Sequence, residues 1–129
     1  MNQRLQKNAV SDSALARLRV PPHSVEAEQS VLGGLLLDNQ AWDRMGDLVT
    51  DGDFYRDEHR RIFRQIRNLL ERSRPADVVT VAEALDAAGE GDQTGGLAYL
   101  GELAANTPSA ANIRRYAEIV RERAVLRQL

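Results

Sequence analysis

The sequence predicts an all-α protein: a small globular helical domain followed by a C-terminal helical hairpin. Three observations predict it. Apolar residues recur at helical spacing, as in Val31, Leu32, Leu35 and Leu36 and again in Ile62, Phe63, Ile66, Leu69 and Leu70. Residues suited to N-capping (Ser24, Thr80 and Ser109) stand ahead of such runs. Breakers (Pro75, Gly89 and Pro108) stand between them.

Composition narrows the function classes. With 129 residues the chain can hold one domain with a real core. A net charge of −2 gives no general electrostatic reason for tight non-specific DNA binding. Cysteine is absent, which excludes disulfides, thiolate metal sites and cysteine nucleophiles. No apolar stretch approaches the ~18 residues of a membrane span, and the first twenty residues lack the apolar centre of a signal peptide. The reading is a cytoplasmic protein with no membrane partner. Among the 17 basic residues Lys7 is the only lysine. Arginine favours ion-pair networks and interfaces, although a GC-rich genome would produce the same bias.

Residues 1–20 read as a disordered tail, rich in polar side chains. Pro21-Pro22 opens the folded part, and a globular subdomain is expected over 21–93. The first helix runs from Ser24 to Leu37, with Glu26 and Glu28 compensating the helix dipole at its start. Gly33-Gly34 in its middle costs roughly 1 kcal/mol per glycine and predicts a neighbouring helix passing close over bare Cα positions. Asp38 or Asn39 caps a short second helix to Leu48 with Trp42, Met45 and Leu48 inward. After a turn at Thr50–Gly52, Asp53 caps a third helix from Tyr55 to Arg72, with Phe54 and Tyr55 plugging the core. Val78-Val79 reads as an extended bridge, and Thr80 with Glu83 as the capping box of a fourth helix that Ala88-Gly89 ends. Glu90–Gly96 reads as a loop.

The hairpin is expected over 94–129. Leu97, Leu100, Leu103 and Ala104 line its first helix, and Asn106-Thr107-Pro108 turns the chain. Ser109 caps a long helix whose main stripe is Ile113, Tyr116, Ala117, Val120 and Ala124. Ile119, Leu126 and Leu129 form a second stripe, and a helix apolar on two sides touches two things. Leu129 stops in mid-pattern with no stop signal, which reads as a cut inside a longer protein.

Chemistry-bearing patterns are sparse. Arg56–Arg74 holds seven arginines, an invitation to a nucleic-acid-binding reading. Asp57 and Glu58 stand three or four residues before Arg60 and Arg61, and Arg67 stands four before Glu71, so helical ion pairs explain the same run. No aromatic residues interleave to stack on bases. His23 and His59 are the only histidines and neither has metal-ligand spacing, so His59 reads as a packing residue at a helix start. Glu26 and Glu28 diverge on a helix, which argues against an acid–base pair. No catalytic residue, cofactor site or metal site is assigned, which makes a small enzyme the weakest class.

The succession Pro21-Pro22-His23-Ser24-Val25-Glu26-Ala27-Glu28-Gln29-Ser30-Val31-Leu32-Gly33-Gly34 resembles the opening of bacterial replicative DNA helicases of the DnaB type. The resemblance continues through Asp53-Phe54-Tyr55, His59, Asp77-Val78-Val79-Thr80, Gly95-Gly96 and Ser109-Ala110-Ala111-Asn112-Ile113 to Tyr116-Ala117-Glu118-Ile119-Val120-Arg121-Glu122. It implies the N-terminal domain of such a helicase, with hairpins paired between copies in a hexamer. It also implies docking of the primase C-terminal domain, a helicase loader as a further partner, and DNA contact only through the parent ring. ATP and Mg²⁺ would belong to an ATPase domain beyond this chain. A phosphate loop ends in lysine, and the only lysine here is Lys7.

Two sets of site residues follow. Leu97, Leu100, Leu103, Ile113, Tyr116, Ile119, Val120 and Leu126 are candidates for the hairpin and its pairing between copies. Glu26, acidic in an exposed first turn, and Tyr99, off the Leu97–Leu100–Leu103 stripe, are candidates for the partner contact. The alternative is that Tyr99 packs on the globular part while Glu26 is merely solvated.

Overall fold

The computed structural model describes residues 20–129, and no strand occurs among them. The expected tail therefore lies outside the described residues, apart from Val20. The order is α1 (Val25–Leu37), a 3₁₀ turn (Asn39–Ala41) running into the short α2 (Trp42–Met45), a second 3₁₀ turn (Asp51–Asp53) and α3 (Asp57–Glu71). Then come α4 (Val78–Ala87), the short α5 (Gly91–Thr94), α6 (Gly96–Asn106) and α7 (Ile113–Arg127). The all-α class stands.

α1 is the hub. The Ser24 hydroxyl accepts the Ala27 N–H at 3.2 Å, the expected N-cap. Val31, Leu32 and Leu35 are wholly buried, and α3, α6 and α7 all pack on this helix. The glycine pair explains the closeness. A Cβ on Gly33 would lie 2.5 Å from the Leu103 carbonyl oxygen of α6, and one on Gly34 would lie 3.0 Å from Ile113 Cδ1 of α7. Each glycine thus serves a different crossing.

α3 is amphipathic, with Ile62, Phe63 and Ile66 wholly buried and its arginines outward. Phe54 is buried against Phe63, while Tyr55 stays half-exposed and stacks on His23. Asn39 reaches across to the α3–α4 connection: its amide donates to the Leu35 and Ala76 carbonyls and accepts the Ala76 N–H.

Several local expectations are corrected. Asp53 does not cap α3, which starts at Asp57. Its carboxylate closes the second 3₁₀ turn by accepting the Thr50 N–H and pairs with Arg121 of α7 at 2.9 Å. Val78-Val79 is the first turn of α4 rather than an extended bridge. Asp77 is the N-cap, and Thr80 is the other half of its capping box. Glu83 is not needed, because the Asp77 carboxylate, three residues before Thr80, already accepts the Thr80 N–H. The stretch Glu90–Gly96 contains α5, closed by left-handed Gly95 and Gly96. Ser109 accepts the Ala111 N–H, and α7 begins one turn later at Ile113.

The final two helices depart furthest from expectation. α6 and α7 do not lie along one another; each packs on α1, and α6 packs on α4 as well. Leu100, Leu103, Ile113 and Val120 join the core that also holds Leu32 and Phe63, so residues from 21–93 and 94–129 share one core. The bare Cα positions of α1 receive the faces that these helices were expected to turn toward each other.

Candidate functional site

The first two turns of α1 run beside α6, and a cleft of about 210 Å³ opens between them. Glu26, Gln29 and Ser30 line it from α1; Tyr99, Glu102, Leu103 and Asn106 line it from α6, with Thr107 at the base. Glu26 and Tyr99, separated by more than seventy positions in sequence, therefore face the same space. Neither Glu26 nor Glu102 takes part in an ion pair among the described residues.

Behind the cleft lies a buried polar chain. The Glu28 side chain is only 2 % exposed, and its carboxylate accepts the backbone N–H of Tyr55 at 2.8 Å and of Arg56 at 3.4 Å. The same carboxylate meets His59 Nδ1 at 2.7 Å, and His59 Nε2 meets the Tyr99 hydroxyl at 2.6 Å. Gln29 Nε2 donates to that hydroxyl at 3.3 Å, and the His59 and Tyr99 rings lie within 7° of parallel. No buried side-chain N or O atom among the described residues lacks a partner, as a buried network requires.

Tyr99 thus combines two expectations held apart in the sequence. Its ring packs against the core and its hydroxyl is held from behind, yet one edge lines the cleft. Glu28, expected to compensate the helix dipole, stands in the first turn of α1 but is buried with partners of its own; Glu26 alone is exposed there. Sequence reading missed Glu28 and His59 as partners, although a signal existed. Glu28 lies three and four residues before Val31 and Leu32, and His59 three and four before Ile62 and Phe63. Polar groups on apolar stripes must find partners inside.

The pairing residues separate into two groups. Leu100, Leu103, Ile113 and Val120 are buried in the domain's own core and cannot meet a partner without opening it. Tyr116 and Ile119 pack partly on that core, while Leu97 is 56 % and Leu126 46 % exposed.

The arginine run is largely neutralised. Arg60 and Arg61 pair with Asp57, Arg61 also with Glu90, and Arg64 and Arg67 with Asp51. Arg67 chooses Asp51 rather than Glu71, because the second 3₁₀ turn packs against α3. The Arg61 hydrogen bond holds the Asp57 carboxyl below its usual range and raises Arg61 in turn. Burial pushes the Asp51 carboxyl up, but the hydrogen bonds and charges of Arg67 and Arg64 outweigh it and hold it below its ordinary value. The described residues contain no group of three metal-ligating side chains.

A family model described as the DnaB-like helicase N-terminal domain matches residues 20–122. The chain is 50% identical over 119 residues to the replicative DNA helicase DnaB of Haemophilus influenzae, covering 92% of this chain and 25% of that protein. To the replicative DNA helicase DnaB of Pasteurella multocida it is 48% identical over 124 residues, covering 95% and 27%. It spans about a quarter of the length of these relatives. The crystal structure of the N-terminal domain of DnaB helicase from Mycobacterium tuberculosis superposes with a TM-score of 0.83 at 45% identity, covering 85% of this chain and 76% of that one.

Proposed function

The chain belongs to the DnaB-like helicase N-terminal domain family, and we propose that it is the assembly and primase-docking domain of a replicative helicase that unwinds duplex DNA at the replication fork with ATP. On this reading nucleotide and Mg²⁺ belong to an ATPase domain, since a phosphate loop ends in lysine and the only lysine here is Lys7, and the work of this chain is protein contact. The observation that carries the docking reading is the meeting of Glu26 and Tyr99 in one cleft. Tyrosine is a favoured interface anchor, and the unpaired carboxylate beside it offers a partner a charged acceptor. The rival reading, nucleic acid on α3, is weakened by the carboxylates that already hold Arg60, Arg61, Arg64 and Arg67.

Pairing between copies draws on the exposed apolar positions Leu97 and Leu126, with the half-buried Ile119 and Tyr116 at its margin. Calorimetric titration with the primase C-terminal domain tests the docking role. Glu26→Ala and Tyr99→Ala should each weaken binding by roughly 1–2 kcal/mol. Tyr99→Ala should also lower stability, because its hydroxyl supports His59, so affinity is read well below its melting temperature. Parent-like affinity in both variants removes these residues from the contact face.

A further inference from the structure

The buried chain behind the cleft fixes more than the place of Tyr99. We propose that Glu28 and His59 are positioning residues that turn the Tyr99 hydroxyl into a hydrogen-bond acceptor toward the cleft, so that a docking partner must bring a donor. This rests on the reading that Tyr99 touches the partner.

The count of protons carries it. The Glu28 carboxylate can only accept, and it already takes two backbone N–H groups, so His59 Nδ1 at 2.7 Å must carry the ring proton. With the imidazole neutral, as the proposal requires, Nε2 holds a lone pair, and the atom facing it at 2.6 Å is the Tyr99 hydroxyl oxygen. The hydroxyl proton therefore points inward. The oxygen is thus left as an acceptor, and the Gln29 amide already donates to it at 3.3 Å. Tyr99 lines the cleft together with Glu26 and Glu102, whose carboxylates are acceptors as well. A carboxylate that fixes an imidazole tautomer through its far nitrogen is the same device that orients metal-bound and catalytic histidines. Here it sets the polarity of a contact residue that neither Glu28 nor His59 reaches past.

Glu28→Gln inverts the device with almost no change of shape. The Tyr55 N–H at 2.8 Å keeps the side-chain oxygen, which turns the new NH₂ toward His59 Nδ1 and gives up the longer 3.4 Å bond from the Arg56 N–H. His59 then holds its proton on Nε2, donates to Tyr99, and the tyrosine proton is released toward the cleft. Ring ¹⁵N shifts of His59 in the whole chain should report Nδ1–H in the parent and Nε2–H in the variant. Calorimetry with the primase C-terminal domain should give a roughly tenfold loss for Glu28→Gln and for Tyr99→Phe, about the worth of one hydrogen bond to a charged or polar partner. Glu28→Gln should add nothing in the Tyr99→Phe background, a silence that a merely structural role would not produce.

A parent imidazole with Nε2–H, or with both nitrogens protonated, overturns the proposal without any variant being made. So does parent-like affinity of Glu28→Gln, or an equal further loss in the Tyr99→Phe background. Parent-like affinity of Tyr99→Ala removes Tyr99 from the contact face and this role with it, and joined by parent-like affinity of Glu26→Ala it sinks the docking reading itself. Weakened binding by Tyr99→Ala with none by Glu28→Gln sinks only the polarity claim.

Discussion

Gly33→Ala is the sharpest perturbation of the fold, because two effects of opposite sign meet at one methyl group. Alanine raises helix propensity by about 1 kcal/mol over glycine in a helix interior. Against that, the added Cβ would lie 2.5 Å from the Leu103 carbonyl oxygen and 2.9 Å from Thr107 Cβ, and closer still to Thr107 Oγ1. The hydroxyl could swing away only by breaking its bond to Leu103 O at 2.9 Å, and the carbonyl belongs to the α6 backbone. Overpacking costs about 1–3 kcal/mol, and the broken buried hydrogen bond adds about 1 kcal/mol. The net expectation is a loss of roughly 1–3 kcal/mol, or some 4–12 °C in Tm for a domain near 110 residues. Gly34→Ala meets only the flexible end of Ile113 at 3.0 Å and should fall within about 1 kcal/mol of the parent. Urea unfolding followed by circular dichroism at 222 nm measures both. A Gly33→Ala protein as stable as the parent, or more so, would refute the close α1–α6 crossing on which the cleft depends.

Three further outcomes follow from the same geometry. Ser73 sits at φ 57° in the C-terminal turn of α3, where the Arg74 N–H reaches back to Leu69 O, so Ser73→Gly should stabilise by roughly 0.5–1 kcal/mol in the same assay. Asp51 contributes stability that is present above its ordinary value of 3.8 and lost as pH falls through its depressed folded value. The gap between parent and Asp51→Asn urea midpoints should therefore shrink below about pH 4; a gap constant down to about pH 2 would contradict the Arg64 and Arg67 pairing. Leu126→Glu changes a half-exposed side chain and should move stability by about 0.5 kcal/mol or less, yet it should weaken self-association measured by sedimentation over a concentration range.

The helices were legible where one face alone is buried. Ile62, Phe63 and Ile66 announce α3, and Ile113, Ala117, Val120 and Ala124 announce α7, because each helix meets the core on a single stripe. The Gly33-Gly34 pair forecast close crossings but not that two helices would share them. That depends on how α6 and α7 are placed in space, and no local pattern encodes it. Leu97 shows the same limit: helical spacing puts it with Leu100 and Leu103, yet it is 56 % exposed while they are buried. At the site, Glu26 and Tyr99 could be picked out singly. Their meeting, and the Glu28–His59 chain behind them, required the packing of α1 against α3 and α6. The boundary errors at Asp53 and Thr80 differ in cause: Asp77, three residues before Thr80, caps α4, whereas α3 starts after Arg56 with no side-chain cap and Asp53 is spent on closing the turn with Thr50.

Docking through the α1–α6 cleft is tested most directly by adding unlabelled primase C-terminal domain to the ¹⁵N-labelled chain and mapping the amide shifts. The cleft predicts the largest changes at Glu26, Gln29, Ser30, Tyr99 and Glu102, with α3 from Arg60 to Arg67 undisturbed. Changes centred on α3, or saturation of the partner with the cleft amides unmoved, would contradict it.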